Sequence, residues 1–397
     1  MTKNRIITTL LLAVMFLPLC AQDDQMNLVE TGVTSLSIAP DARGGALGDV
    51  GVATEPDVFS QYWNPAKYPF NVARAGMAMS YTPWLRQLVG DIDLVNLAGF
   101  YRIGNYSAVS SSLTYFSLGE VSIGSTEMSI KPYEFAFDVA YSRMLSEKLS
   151  AAIALRVIYS DLKYSLDEDI EPGKAFAADI AMYYNNYIMV GDRECLLGLG
   201  FNISNIGTKI SYNSGESSEF LPTNLRLGAS LVYPIDEYNT ISFSLDINKL
   251  LVPTRPTYKQ FLEEKGYDAN DGIDRKDEYR LWVEEDGYND ISPISGIFKS
   301  FNDAPGGFSE ELKEVYGGIG VEYCYNQKFS VRAGYHYENE FKGNRKYYTV
   351  GAGFRMSVFS LDGAYLISAA QNNPLDQTLR FSLSFEMDGL RELFRRW

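Results

Sequence analysis

The feature that most restricts this chain is a two-residue alternation of apolar and polar side chains, held over long runs and repeated down the sequence. Ile241, Phe243, Leu245 and Ile247 alternate with Ser242, Ser244, Asp246 and Asn248; Phe135, Phe137, Val139 and Tyr141 alternate with Glu134, Ala136, Asp138 and Ala140. The same pattern sets Leu379, Phe381, Leu383 and Phe385 against Arg380, Ser382, Ser384 and Glu386. A period of two is the signature of strands with one apolar face. Fourteen such runs are predicted: 73–83, 91–103, 106–117, 132–145, 149–164, 174–187, 194–206, 222–233, 239–251, 312–325, 328–341, 345–357, 359–370 and 377–387. Most exceed the roughly five or six residues usual in globular sheets and are long enough for a tilted strand to cross a bilayer.

After Leu19 no apolar run approaches the roughly 20 residues that a membrane-spanning helix needs. A chain of this kind can live in a membrane only as a closed barrel, in which every backbone group finds a partner on a neighbouring strand. The mean hydropathy of −0.14 suits such alternation and does not by itself separate it from a soluble protein. The connections do. Even-numbered runs end in short turns at 104–105, 146–148, 188–193, 234–238, 326–327 and 357–358. Odd-numbered runs end in longer links at 84–90, 118–131, 165–173, 207–221 and 251–311, followed by shorter turn-rich links around 342–344 and 371–376. Short periplasmic turns alternating with longer outer loops are the rule for outer-membrane barrels. A secreted sandwich has no reason to keep that parity, and its outward faces would carry more Lys, Glu and Thr. The expected fold is all-β, a 14-stranded antiparallel transmembrane β-barrel over residues 71–387, in the outer membrane.

Residues 1–21 read as a secretory signal, with Lys3 and Arg5 ahead of the apolar run Ile6 to Leu19. Cleavage after Ala21 and lipid attachment at Cys20 both remain open. The formal net charge of −15 argues against nucleic acid as a partner, and 28 Tyr with 22 Phe supply the aromatic girdles of a barrel. Cys195 and Cys324 fall on runs three apart in the wall, on the order of 14 Å around the circumference, so no disulfide is expected. The tail 388–397, DGLRELFRRW, is either a short interfacial helix or an unstructured end.

Two segments interrupt the alternation. The block 22–70 is rich in Gly, Ala, Pro and Asp and reads as a compact non-strand region, a plug for the lumen. The link 252–311 is too long to be structureless without a function. Between Phe261 and Asp290 it carries eleven Asp or Glu against four Lys or Arg and reads as a solvated acidic outer loop, while the more apolar 291–301 has the character to pack back over the barrel mouth. Asp268, Asn270 and Asp274, with Asp277 and Glu278 around Gly272, form a weak calcium pattern, since Gly272 comes one residue early and no Glu closes the loop. His336, the only histidine, is expected on the lumen face as a wall residue. No nucleophile elbow, phosphate loop or Cys/His metal cluster occurs, so neither catalysis nor a cofactor is expected.

Within SLSIAPDARGGALGDVGVATEPDVFSQYWNPAKYPF, the elements Pro40-Asp41-Ala42-Arg43, the small-residue run Gly44 to Gly51 and Asn64-Pro65-Ala66-Lys67 resemble the PorV family, outer-membrane components of the Bacteroidetes type IX secretion system related to the FadL transporters of hydrophobic compounds. The resemblance implies a FadL-like barrel with an N-terminal plug. It also implies a carrier that collects secreted cargo by its C-terminal domain at the translocon and delivers it to the surface sortase and attachment complex, with outer-membrane lipid or lipopolysaccharide close by. The residues it marks are Asp41, Arg43, Gly44, Gly45, Gly48, Asp49, Asn64, Pro65 and Lys67. The glycines permit close approach or positive φ, and Arg43 and Lys67 are expected to pair with lumen carboxylates such as Asp138 or Glu386. A plug that only seals the pore is the preferred reading over direct ligand contact. The competing function, uptake of fatty acids or similar apolar molecules, predicts an apolar pocket beside the plug, and an acidic outer loop suits anionic fatty acids poorly.

Overall fold

The computed structural model describes residues 28–387, except 87–88, 124–127, 163–170, 213–217, 269–272, 286, 289 and 370–374. The signal segment, Cys20, the tail 388–397 and Asn270 lie outside the described residues. The wall comprises β1 (Ala75–Pro83), β2 (Ile92–Ile103), β3 (Ser107–Leu118), β6 (Tyr133–Met144), β7 (Leu149–Asp161), β8 (Gly173–Val190) and β9 (Arg193–Gly207). It continues with β10 (Asn224–Pro234), β11 (Asn239–Leu250), β12 (Val315–Tyr325), β13 (Phe329–Tyr337), β14 (Tyr347–Arg355), β15 (Phe359–Ser368) and β16 (Leu379–Glu386). These fourteen antiparallel strands close into a barrel where β1 meets β16, from Gly76 opposite Glu386 to Tyr81 opposite Phe381. The small hairpin of β4 (Val121–Ile123) and β5 (Met128–Ile130) stands apart in the link between β3 and β6 and was not expected from the alternation.

The alternation is what makes the barrel two-sided. On β7, Ala152, Ala154, Arg156 and Ile158 are buried, whereas Ile153, Leu155 and Val157 are 61, 67 and 46% exposed. Rows of exposed aliphatic side chains on this scale belong against lipid. The inward rows are mostly small or polar: Ser110, Ser112, Ser142, Ser150, Asn202, Ser230, Ser244, Asp246 and Ser382 are all buried. At one end of the barrel the links are tight. Asn326 and Gln327 both take positive φ, as a two-residue hairpin turn requires, and Gly104 and Gly191 do so at theirs. The opposite end carries the long links. One irregularity interrupts the wall, a bulge at Asp179 between β8 and β9, next to Asn205 at φ 61°.

Inside the barrel run residues 33–70, built as α1 (Ala42–Ala46), α2 (Ser60–Trp63) and a 3-10 turn Pro65–Phe70. The link from β11 to β12 is not a structureless acidic loop. It folds as α3 (Tyr258–Lys265), α4 (Lys276–Glu285), α5 (Pro293–Lys299) and α6 (Phe308–Lys313). Phe261, Leu262, Trp282 and Val283 form a small core between α3 and α4, ringed by Tyr258, Tyr279 and Tyr288. Thr257 and Gln260 cap α3 reciprocally, and Gly266 ends it in the left-handed conformation.

Candidate functional site

The plug is fastened to the wall by hydrogen bonds whose strand partners point inward because of the two-residue period. Asp41 caps α1 by accepting from Gly44 N at 2.7 Å, and its other oxygen accepts from Trp63 Nε1 at 2.7 Å. The indole is thereby held flat over Gly44 and Gly51, where any Cβ would strike its ring. Gly45 is similarly covered by the Arg380 side chain. Close approach is therefore the reason for glycine at 44 and 45, and backbone conformation the reason at 48, where φ is +79°. Gly48 N donates to Thr349 Oγ1, and its carbonyl meets His336 Nδ1 at 3.2 Å. His336 stacks on Tyr347 as a buried wall residue.

Ion networks tie the plug to the lumen wall. Arg43 reaches Asp57 at 3.0 Å and Glu322 at 3.1 Å; Glu322 also pairs with Arg332, which holds Asp362 at 2.6 Å. Asp49 pairs with Arg380 and accepts from Tyr347. At the bulge, Arg156 bridges Asp138 and Asp179, and Asp138 also takes hydrogen bonds from Gln61 and Ser112. These pairings correct the expected partners of the plug cations. Arg43 joins Asp57 and Glu322 rather than Asp138 or Glu386. The wholly buried Lys67 donates to the Gly51 carbonyl at 2.7 Å and to Thr54 Oγ1 at 3.1 Å and, among the described residues, has no carboxylate within ion-pair distance. Asn64 and Pro65 start the last plug turn, with Asn64 Nδ2 bonded to the carbonyls of Val52 and Met182.

Two elements of the plug seat were not singled out from the sequence. Asp246 accepts from both Gly51 N and Val52 N, at 2.7 and 2.9 Å. A row of inward glycines on β9 to β14 (Gly200, Gly228, Gly318, Gly320, Gly334 and Gly351) lets the stretch 46–53 lie directly on the wall. At Gly318 and Gly334 an added Cβ would come within 3.0 Å of the plug backbone at 47–48. None of the nine marked plug residues borders the small lumenal cavity that lies beside the plug. That cavity is about 20 Å³, room for roughly one water molecule, and its lining mixes Leu36, Ile38 and Ala136 with Ser112, Asp138 and Arg156.

The helical insert sits on the rim at the long-loop end. Lys249 Nζ binds Glu311 at 2.9 Å and Glu314 at 2.5 Å, and Lys342 Nζ binds Glu310 at 2.7 Å and Glu314 at 3.1 Å. Asp303 accepts from Thr254 N, while its own N–H donates to Glu311. Burial, with Glu311 and Glu314 beside it, pushes Asp303 up to about 6. The docked insert therefore holds a proton that a detached one would release between pH 4 and 6. Docking gains that stabilisation at low pH and loses it as pH rises through about 6. Glu311 is desolvated too, but the Ala304 N–H and Lys249 outweigh burial and hold it below its ordinary value, outside this window. Amide-exchange protection factors of residues 254–312, corrected for intrinsic rates, should be higher at pH 5 than at pH 7.5; equal protection would show that Asp303 does not govern docking.

The expected packing of 291–301 over the mouth is realised at Gly296, which lies against Pro253 and Phe220, and at the fully buried Ser300. Ile294, Phe298, Phe301, Phe308 and Leu312 point to solvent, Phe298 and Phe308 at 75 and 76% exposure. In the calcium pattern, Asp274 accepts from the N–H of Lys276 at the start of α4, and among the described residues no group of three or more His, Cys, Asp or Glu is placed to hold a metal. Cys195 and Cys324 are free.

A family model described as "Type IX secretion system protein PorV" matches residues 20–257. No curated protein sequence matches the chain significantly. Among solved structures, the toluene transporter TodX of P. putida is similar over 88% of this chain and 97% of its own, at 10% identity and a TM-score of 0.50, which shows a common fold. The Ralstonia pickettii toluene transporter TbuX (10% identity, 89% of this chain and 98% of its own, TM-score 0.45) and a Pseudomonas aeruginosa FadL homologue (11%, 91% and 99%, 0.42) are also similar.

Proposed function

Since the chain belongs to the PorV family, an outer-membrane component of the type IX secretion system, we propose that it is a non-enzymatic carrier. It binds the C-terminal domain of secreted cargo at the translocon and hands that cargo to the surface sortase and attachment complex. The observation that carries this reading is the helical insert: a folded unit, clamped to the rim by Lys249 and Lys342, that holds Phe298 and Phe308 almost fully exposed. The parity of the connections supports an outward orientation of that face. Exposed aromatics on a rigid mount are what a protein-binding surface needs, because they bury much area at little cost in conformational freedom.

The lumen supports the same division of labour. The nine plug residues serve to seat and seal, and the cavity beside the plug, of mixed polar and apolar lining and about 20 Å³, is too small for a fatty acid. The transporter reading needs an apolar pocket there, so the shared fold with TodX lends it no function. Photo-crosslinking in cells tests the proposal. Cargo should crosslink to probes placed at positions 298 and 308, and a Phe298→Ser/Phe308→Ser variant should capture about tenfold less cargo or weaker still, as expected when central aromatic anchors are removed. Undiminished capture by a variant present at normal level in the outer membrane would remove the insert from the cargo surface.

A further inference from the structure

The lipid-facing wall is not evenly convex. Across β9 to β13 it carries a groove of about 590 Å³, bordered by Leu197, Leu231, Phe243, Leu245, Val321 and Tyr335. A second hollow of about 280 Å³ shares Leu245, Ile319 and Tyr335 with it and extends to Val315 and Tyr337, the residues nearest the long-loop end of β12 and β13. The two form one channel along the outer surface, from mid-wall to the outer rim.

The hollow follows from register. Ala229 and Ala333 face outward in neighbouring rows, Ala229 beside Leu245 on β11 and Ala333 beside Val321 on β12, and Gly317 opens the row that ends at Tyr337. Large outward side chains at these three positions would fill the groove. Its rim is held by Tyr335, whose ring packs on Tyr348 at 4.9 Å. Behind the floor the wall is one backbone thick, because Gly318, Gly320 and Gly334 carry no side chain toward the plug and residues 47–48 lie against them.

At the outer mouth stands Lys346. Its ammonium lies 5.5 Å from the centroid of the Tyr337 ring, and its nearest carboxylate, Glu340, is a loose 3.9 Å away and largely exposed. An apolar channel in the hydrocarbon belt with a cation at its polar end suits an anionic amphiphile, and in an outer membrane that is an acyl chain joined to a phosphorylated headgroup.

We propose that the channel on β10 to β13 is a specific lipid site, holding one acyl chain of a phosphorylated outer-membrane lipid with its phosphate at Lys346. The assignment rests on the outer-membrane location and the outward long-loop end, and is independent of the cargo reading. Burial of a methylene in apolar surroundings is favourable, but bulk lipid offers that everywhere on the belt. What distinguishes this site is concavity, which gives a chain more contact than the convex wall around it, and the ammonium, which fixes the other end by charge.

The test uses the full chain in vesicles containing two photoreactive probes, a lipid A and a phosphatidylethanolamine, each with a diazirine in an acyl chain. Labelled peptides are mapped by mass spectrometry. Labelling of residues 243–247, 317–321 and 333–337 should exceed that of the outward positions 137–141 and 153–157 on β6 and β7 by about tenfold. The more strongly retained probe names the headgroup. Ala229→Leu/Ala333→Phe should abolish the excess, whereas Ala151→Phe, also outward but on β7, should leave it unchanged; heat-modifiable gel migration checks that each variant is folded. Lys346→Gln should lower the excess without redistributing the label. Uniform labelling around the belt, or an excess that survives filling of the groove, would overturn the proposal.

Discussion

Replacing Arg43 with Met should weaken the seating of the plug by about 3–5 kcal/mol, the usual result of removing one partner from a buried ion pair. Arg43 answers Asp57 and Glu322 together, and Glu322 already shares Arg332 with Asp362. Without Arg43, Asp57 loses its ion pair, and Glu322 and Asp362 are left to share Arg332. Planar-bilayer recording should turn from silent to openly conducting, and trypsin should gain access to residues 41–70 in folded barrels. Adding Glu322→Gln removes one of the surplus charges, so the double variant should recover part of the loss, a coupling of about 0.5–3 kcal/mol. A silent, protease-resistant Arg43→Met barrel would show that the network is dispensable for closure.

Gly318→Val/Gly334→Val should do greater damage, because the obstruction is backbone against backbone. A Cβ at either position comes within 3.0 Å of the plug at Leu47 or Gly48, and neither has a flexible side-chain end that can swing away. Overpacking a well-filled site costs about 1–3 kcal/mol per position when neighbours can shift; here the only neighbours are the plug and the wall ladder. The expected outcome is a barrel with its plug expelled, or no folded barrel at all, read by heat-modifiable migration and by protease access to 41–70. Gly363→Val is the matched control, since an added Cβ at Gly363 meets nothing within 4 Å. Normal plugging in the double valine variant would contradict the described seat.

How far the sequence foretold this molecule depends on the range of each interaction. All fourteen barrel strands were readable to within a few residues, because alternation is local and each strand declares its own two faces. Partners of the plug were not, since nothing in the sequence around Arg43 tells which inward carboxylate stands opposite; that depends on barrel register and on how 28–70 is threaded. Asp246 was visible only as one polar member of the β11 alternation, yet it holds Gly51 and Val52. The insert is a different case. Its helices had a signal that acidic composition concealed: Tyr258, Phe261 and Leu262 repeat the spacing of Tyr279, Trp282 and Val283, two apolar faces at helical period, with Thr257 and Gln260 marking a start. The exposure of Phe298 and Phe308 had no signal, because an apolar residue in a loop reads the same whether it packs or waits for a partner.

The hydrogen bond from Ala42 N to Ser382 Oγ joins residues 340 positions apart, and Arg380 reaches back to Asp49. The plug thus leans on the last strand as well as on β7 to β9, where Ser150 and Asn202 receive it. Its full set of contacts comes into being only when β16 has joined β1. The plug, which precedes every wall strand in the chain, is therefore the last part to be completed, and a seated plug is a record that the seam has closed. A chain stalled before its final hairpin would display a loose, cleavable N-terminal segment, giving periplasmic proteases a way to tell unfinished barrels from finished ones.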